Sequence, residues 1–243
     1  MKEEEDGDLS LEGMQQAYDM AARLKHENIS VIVSSPHRRA IQTAKLIAEQ
    51  LAIKYVVEPL MTDLIVSPDQ AQSYAPLFQF NNVRGGSSDE EDDSGLRDRQ
   101  YVPVSSFATA EDNMPQTLPA LQHRVYSALS TICKKYKRVA IVGHASSFVA
   151  MLSVLVGQQW QGTLHFASIT ILVPNSTSPV GWSLERMNMR SHLTTAFDDY
   201  GRTKKKSSAP APGTTRCTVG EQPRRHRHTE EIESDDDPIL PSY

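Results

Sequence analysis

Val31-Ile32-Val33-Ser34-Ser35-Pro36-His37-Arg38-Arg39 is the stretch on which the fold turns. Three consecutive β-branched residues, a short continuous apolar run, read as a strand buried on both faces, as in a parallel sheet. Pro36 suits the first position of a helix, where a missing amide costs nothing, and Ser35 is placed to cap it. Ala40, Ala44, Ile47 and Leu51 then recur at helical spacing, and Tyr55-Val56-Val57 reads as the next strand. On the other side, Leu11, Met14, Ala17, Tyr18, Ala21 and Leu24 mark an amphipathic helix with Ser10 at its cap. The order is helix, strand, helix, strand.

The rhythm fails between about Asp63 and Pro115. Arg84-Gly85-Gly86-Ser87-Ser88 followed by Asp89-Glu90-Glu91-Asp92-Asp93 is too polar to bury a core, so a flexible acidic insertion is expected around 83–100. Periodicity resumes with Leu121, Val125, Ala128, Leu129 and Ile132 on one helical face. Val139-Ala140-Ile141-Val142 is a strand run, Phe148, Leu152 and Leu155 mark a helix, and Ile169 to Val173 and Trp182 to Leu184 look like late strands. Strands separated by helices predict an α/β three-layer sandwich with a mostly parallel sheet, occupying residues 1–200. Residues 201–243 are expected to be a disordered charged tail, interrupted by Pro210, Pro212 and Pro223.

Charge narrows the partner classes. The 243 residues carry a net charge of -5. Residues 1–200 hold 17 basic and 23 acidic side chains, so no broad positive field exists to bind nucleic acid. In the tail, Lys204-Lys205-Lys206 and Arg224-Arg225-His226-Arg227-His228 are followed by Glu230, Glu231, Glu233, Asp235, Asp236 and Asp237, which neutralise them. No apolar run approaches the roughly 20 residues of a membrane span, and the acidic opening Met1-Lys2-Glu3-Glu4-Glu5-Asp6 is unlike a secretory signal. A cytoplasmic protein is expected. Cys133 and Cys217 are the only cysteines, too few for a disulfide framework or thiolate metal site. No metal and no cofactor are expected.

In a parallel sheet, ligands bind beyond the carboxyl ends of the strands, where helix N-termini converge. Two unusual side chains fall at that edge. Arg39 lies in a first helical turn, where a cation opposes the helix dipole unless it faces an anion. His144 ends the strand Ile141-Val142, after Gly143, which lets the backbone turn or a ligand approach.

Ser35-Pro36-His37-Arg38-Arg39-Ala40-Ile41-Gln42-Thr43-Ala44 resembles the Ser-Pro-x-x-Arg-x-x-Gln-Thr-Ala signature of the histidine phosphatase superfamily, also called phosphoglycerate-mutase-like. Leu9-Ser10-Leu11-Glu12-Gly13-Met14-Gln15-Gln16-Ala17 is similar to the segment preceding it. Val142-Gly143-His144-Ala145-Ser146-Ser147 resembles the second histidine motif, in the form typical of the ubiquitin-associated and SH3 domain-containing (TULA/Sts) phosphatase branch. The resemblance spans about residues 8–190. It implies cleavage of a phosphate monoester through a phosphohistidine, with the substrate a phosphorylated small molecule or a phosphopeptide. It casts Arg39 and His144 as phosphate-binding residues, with His144 also catalytic. Val57-Glu58-Pro59-Leu60-Met61-Thr62-Asp63 is similar to the branch's acid segment, so Asp63 takes the proton donor's place on a shorter arm.

The resemblance also implies an Arg-His-Gly motif at the end of a first strand, and no Arg-His-Gly occurs in this sequence. With nine residues before Ser10, the expected fold lacks that strand, and a chain without its nucleophile is expected to be catalytically impaired. His37 is not expected to substitute, because neighbouring helical positions point about 100° apart. Three origins stay open: an incomplete chain from a truncated gene model or splice form, a relative that binds without cleaving, or a strand supplied by a partner. A non-enzymatic phospholigand- or protein-binding module is the alternative function, and a phosphoglycerate-type mutase a third. A protein partner held by the tail and a homodimer are further expectations.

Overall fold

The computed structural model describes residues 7–67, 69–70, 95–103, 117–157 and 162–194. The acidic run 89–93 and the tail 201–243 lie outside the described residues. The elements are α1 (Leu11–Leu24), β1 (Val31–Ser34), α2 (Arg38–Leu51), β2 (Tyr55–Val57), a 3-10 turn (Pro59–Met61), α3 (Leu118–Lys135), β3 (Val139–Val142), α4 (Ala145–Val156), β4 (Ile169–Pro174) and β5 (Trp182–Met189).

Strands β2, β1 and β3 form a parallel sheet in that order, with Ile32 opposite both Tyr55 and Ala140. All four residues of β1 and all three of β2 are buried, as the unbroken apolar runs require. Alternation along the strands divides the core in two. Val31, Val33 and Val56 pack with Leu121, Val125, Leu129, Met151 and Leu155 of α3 and α4. Ile32, Tyr55 and Val57 pack with Ala21, Ala44, Ile47 and Ala48 of α1 and α2. Helices cover both faces, so the α/β layering expected from the sequence is present.

Local chemistry sets the helix ends. Ser10 caps α1 by accepting from the Gly13 amide at 3.1 Å. Thr117 caps α3 through the Ala120 amide, with Pro119 in its first turn. α2 closes on Ala52, whose φ of 53° is left-handed. Its start differs from expectation. The N-cap is His37 with no side-chain cap bond, Pro36 lies before the helix, and Ser35 is engaged elsewhere.

β4 and β5 form a separate antiparallel pair, and β5 runs to Met189, beyond the expected Leu184. Residues 95–98 run beside β2: the Tyr55 amide donates to the Leu96 carbonyl at 3.1 Å and the Asp98 amide to the Tyr55 carbonyl at 2.8 Å.

β3 is apolar throughout yet only half-buried. Val142 turns its carbonyl to the Ser35 amide at 2.9 Å. By the alternation of a parallel ladder, Ala140 and Val142 face β1, while Val139 and Ile141 direct their peptide groups to the opposite edge. No strand pairs with that edge among the described residues.

Candidate functional site

The carboxyl ends of β1, β2 and β3 meet at one sheet edge. Arg39 stands in the first turn of α2, His144 is the residue before α4, and Asp63 follows the 3-10 turn beyond β2. The structure brings all three together. Arg39 Nη2 lies 3.4 Å from His144 Nδ1, although 105 residues separate them in sequence. Asp63 Oδ2 lies 3.7 Å from the same nitrogen. The His144 side chain is 8% exposed and that of Asp63 30%, so the ring is fixed while the carboxylate reaches solvent.

The ring of His144 is held from the other side. Its Nε2 is 2.7 Å from the hydroxyl of Ser35, which is fully buried. His37, also fully buried, packs edge-on against it with ring centroids 4.5 Å apart and places Nε2 at 3.0 Å from Thr62 Oγ1. The helical-angle reason given for setting His37 aside does not apply to it. As the cap residue it has extended backbone, φ -67° and ψ 139°, and the helical 100° step does not govern it. Gly143 also departs from expectation: an added Cβ would meet Met61 O and Phe148 at 3.9 Å, ordinary contact. The backbone there does not demand glycine.

The turn that carries Asp63 is built by α3 and α4. Arg124, 6% exposed, donates Nη1 to the Leu60 and Thr62 carbonyls and Nη2 to the Asp63 carbonyl, each at 3.0 Å. Burial pushes its guanidinium down to about 10, against the opposing pull of Asp63. Ser147 Oγ donates to the Thr62 carbonyl at 2.7 Å, and Ser146 Oγ makes a short hydrogen bond to Asp63 Oδ1 while accepting from the Leu64 amide at 3.1 Å. Ser146 and Ser147 thus hold the turn that carries Asp63.

Gln42 ties the segment before α1 to this end. Its Oε1 accepts from the Leu9 amide at 2.6 Å and its Nε2 donates to Asp8 at 2.9 Å, while Arg38 pairs with Asp8 at 2.7 Å. Arg124, Thr62 and Ser35 were not singled out as site residues from the sequence. The one signal for Arg124 was a cation on the otherwise apolar face of Leu121, Val125 and Ala128. Of the other histidines, His26 follows α1, His123 is exposed on α3, and His165 and His192 lie by the β4–β5 pair; none joins the site. His226 and His228 lie outside the described residues.

The arrangement is a cation, an imidazole and a carboxylate around one point, suited to an oxyanion that needs both positive charge and a proton donor. No group of metal-ligating side chains occurs among the described residues, and no helix there is long and apolar enough to cross a membrane.

Residues 1–74 match the family model described as the histidine phosphatase superfamily (branch 1). The chain is 26% identical over 208 residues to the probable phosphoglycerate mutase GpmB of Proteus mirabilis, covering 81% of this chain and 89% of that protein. Among solved structures, Bacillus stearothermophilus YhfR superposes with a TM-score of 0.54 at 15% identity, covering 79% of this chain and 90% of its own. A mycobacterial glucosyl-3-phosphoglycerate phosphatase in complex with inorganic phosphate superposes with a TM-score of 0.52 at 19% identity, covering 80% and 93%. These likenesses establish the α/β fold with its parallel sheet.

Proposed function

We propose that this chain is a histidine phosphatase superfamily protein that binds the phosphoryl group of a phosphate monoester between Arg39 and His144, with Asp63 as the proton donor and with turnover impaired. The observation that carries the reading is the approach of Arg39 and Asp63 to one ring nitrogen of His144, at 3.4 and 3.7 Å. A dianionic phosphoryl group requires fixed positive charge at its equatorial oxygens, which a guanidinium and an imidazole supply. A carboxyl group beside the anion can protonate a leaving oxygen. The family match over residues 1–74 covers Arg39 and Asp63.

Impairment follows from the missing attacking group. No Arg-His-Gly occurs in the sequence. His37 is fully buried, with its ring against His144 and its Nε2 at 3.0 Å from Thr62 Oγ1. Without a covalent nucleophile, residual rates in sites of this kind are small. The motif forms point to the TULA/Sts branch and hence to a phosphotyrosine peptide as ligand, bound in the cytoplasm. A mutase, the activity named for the Proteus relative, must also hold a phosphohistidine, which the same absence opposes.

Two measurements test the reading. Calorimetry with inorganic phosphate is expected to give saturable binding that Arg39→Ala weakens about 10- to 100-fold, the worth of a charge-assisted contact. No binding at millimolar phosphate rejects the anion site. Efficient turnover of an aryl phosphate by the wild-type chain, abolished in His144→Ala, rejects the impairment.

A further inference from the structure

We infer that Ser35 is the positioning residue that fixes the tautomer of His144, so that the ring turns an Nδ1–H donor toward the phosphoryl oxygens. The inference rests on the phosphate-binding reading of the site and adds to it which ring nitrogen does the binding and what holds it there.

Ser35 sits on the tight connection between β1 and α2 and is fully buried. Its amide donates to the Val142 carbonyl at 2.9 Å, and its own carbonyl accepts from Ser34 Oγ at 2.8 Å. Its hydroxyl oxygen accepts a long hydrogen bond from the His37 amide at 3.4 Å and lies 2.7 Å from His144 Nε2. The hydroxyl also carries one proton that must go somewhere. Among the described residues, Nε2 is the one acceptor its hydrogen bonds supply. A buried O–H left without an acceptor costs more than a typical hydrogen bond returns, so the proton goes to Nε2. A neutral imidazole has one donor and one acceptor nitrogen. Nε2 being the acceptor, Nδ1 bears the hydrogen.

At Nδ1 the contacts divide: the nearer one, from Arg39, calls for a lone pair and the farther one, to Asp63, for a hydrogen, so the buried Ser35 proton decides the tautomer. Asp63 Oδ2, at 3.7 Å, can only accept, and Arg39 Nη2, at 3.4 Å, can only donate. An Nδ1–H is drawn to the carboxylate. An anion entering beside Arg39 then meets two converging donors, guanidinium and imidazole. The opposite tautomer would set a lone pair of Nδ1 against a phosphate oxygen and leave the Ser35 proton buried and unshared. The serine therefore acts through the ring, without touching the ligand.

Nitrogen-15 histidine labelling of the full chain tests this, with His144 assigned by comparison with His144→Gln and spectra recorded where the ring is neutral. The expected wild-type pattern is a pyrrole-like Nδ1 and a pyridine-like Nε2. In Ser35→Ala the population shifts to Nε2–H, and affinity for inorganic phosphate falls about tenfold. Ser35→Thr, which keeps the hydroxyl, retains the wild-type pattern. A wild-type ring with its proton on Nε2, or a Ser35→Ala ring unchanged from wild type, overturns the inference. If Ser35→Ala does not fold, the wild-type spectrum decides alone. The expected tautomer in a chain that fails to bind phosphate supports the role of Ser35 and rejects the anion site instead.

Discussion

Replacing Arg124 with methionine removes a buried cation, and the cost can be read from the carbonyls it serves among the described residues. Among the described residues Arg124 donates to Leu60, Thr62 and Asp63, each at 3.0 Å. Thr62 O keeps its bond from Ser147 at 2.7 Å, so two carbonyls lose their donor. That of Leu60 belongs to a residue only 5% exposed, and its loss costs about 1–3 kcal/mol. That of Asp63 is partly exposed and recruits water, at about 1 kcal/mol. Methionine fills most of the volume, and removing a charge that burial already disfavours returns part of the loss. The net expectation is about 2–3 kcal/mol. With a urea m-value of about 1–3 kcal/mol/M for a small domain, the midpoint falls by about 1 M at constant m. Arg124→Lys, whose ammonium cannot span three carbonyls, falls between wild type and methionine. A methionine midpoint within about 0.2 M of wild type, or a lysine variant worse than the methionine one, refutes the reasoning that the fork of donors holds the turn.

Three other outcomes are expected. Burial alone would raise the Asp19 carboxyl, but the Thr194 amide and hydroxyl and the Gln15 amide outweigh it and hold it below the ordinary 3.8; its contribution is therefore present above that pH and lost as pH falls through the folded value. Burial also lowers His192 from 6.5, so the folded state binds its proton less readily than the unfolded chain and stability likewise declines on acidification. Thermal unfolding against pH should fall through both windows, with Asp19→Asn flattening the more acid one; an unchanged acid slope in that variant removes Asp19 from the explanation. Ala52→Gly should raise stability by about 0.5–1 kcal/mol, because φ 53° strains a residue with a Cβ; a lower melting temperature counts against strain there. Ile32→Ala, at a fully buried centre-strand position, should cost about 2–5 kcal/mol in chemical denaturation, whereas Val139→Ala on the half-buried edge strand should cost about 1 kcal/mol or less; equal losses would deny the difference in burial.

The strands with unbroken apolar runs were legible because parallel strands buried on two faces leave no room for polar residues, and β1, β2 and β3 appear where Val31, Tyr55 and Val139 begin their runs. Arg39 and His144 were legible through motif and position at strand ends. What escaped was how the side chains turn. Ser35 looked like a helix cap, because Ser-Pro before an apolar period is a start signal, yet the connection is tight enough to move the cap to His37 and hand the serine to His144. The contact of His37 with His144 escaped because a helical angle was applied one residue too early. Arg124 stayed hidden because an arginine within an amphipathic pattern ordinarily points to water, and only the position of the Pro59–Met61 turn supplies the three carbonyls that make burial tolerable.

The side of β3 that pairs with no strand among the described residues bears on behaviour in concentrated solution. Val-Ala-Ile-Val offers outward peptide groups with no proline, bulge or charge inside the run, the composition that seeds edge-to-edge aggregation. Just before it stand Lys134, Lys135, Lys137 and Arg138, all exposed. Two molecules stacking β3 on β3 in parallel would press these cations together, so the cluster serves as a gatekeeper for the strand it precedes. That protection is electrostatic and weakens as the screening length shortens from about 30 Å at 0.01 M salt to about 3 Å at 1 M. The chain should accordingly stay dispersed in dilute buffer and clump in brine, the reverse of a protein whose self-association is held by ion pairs.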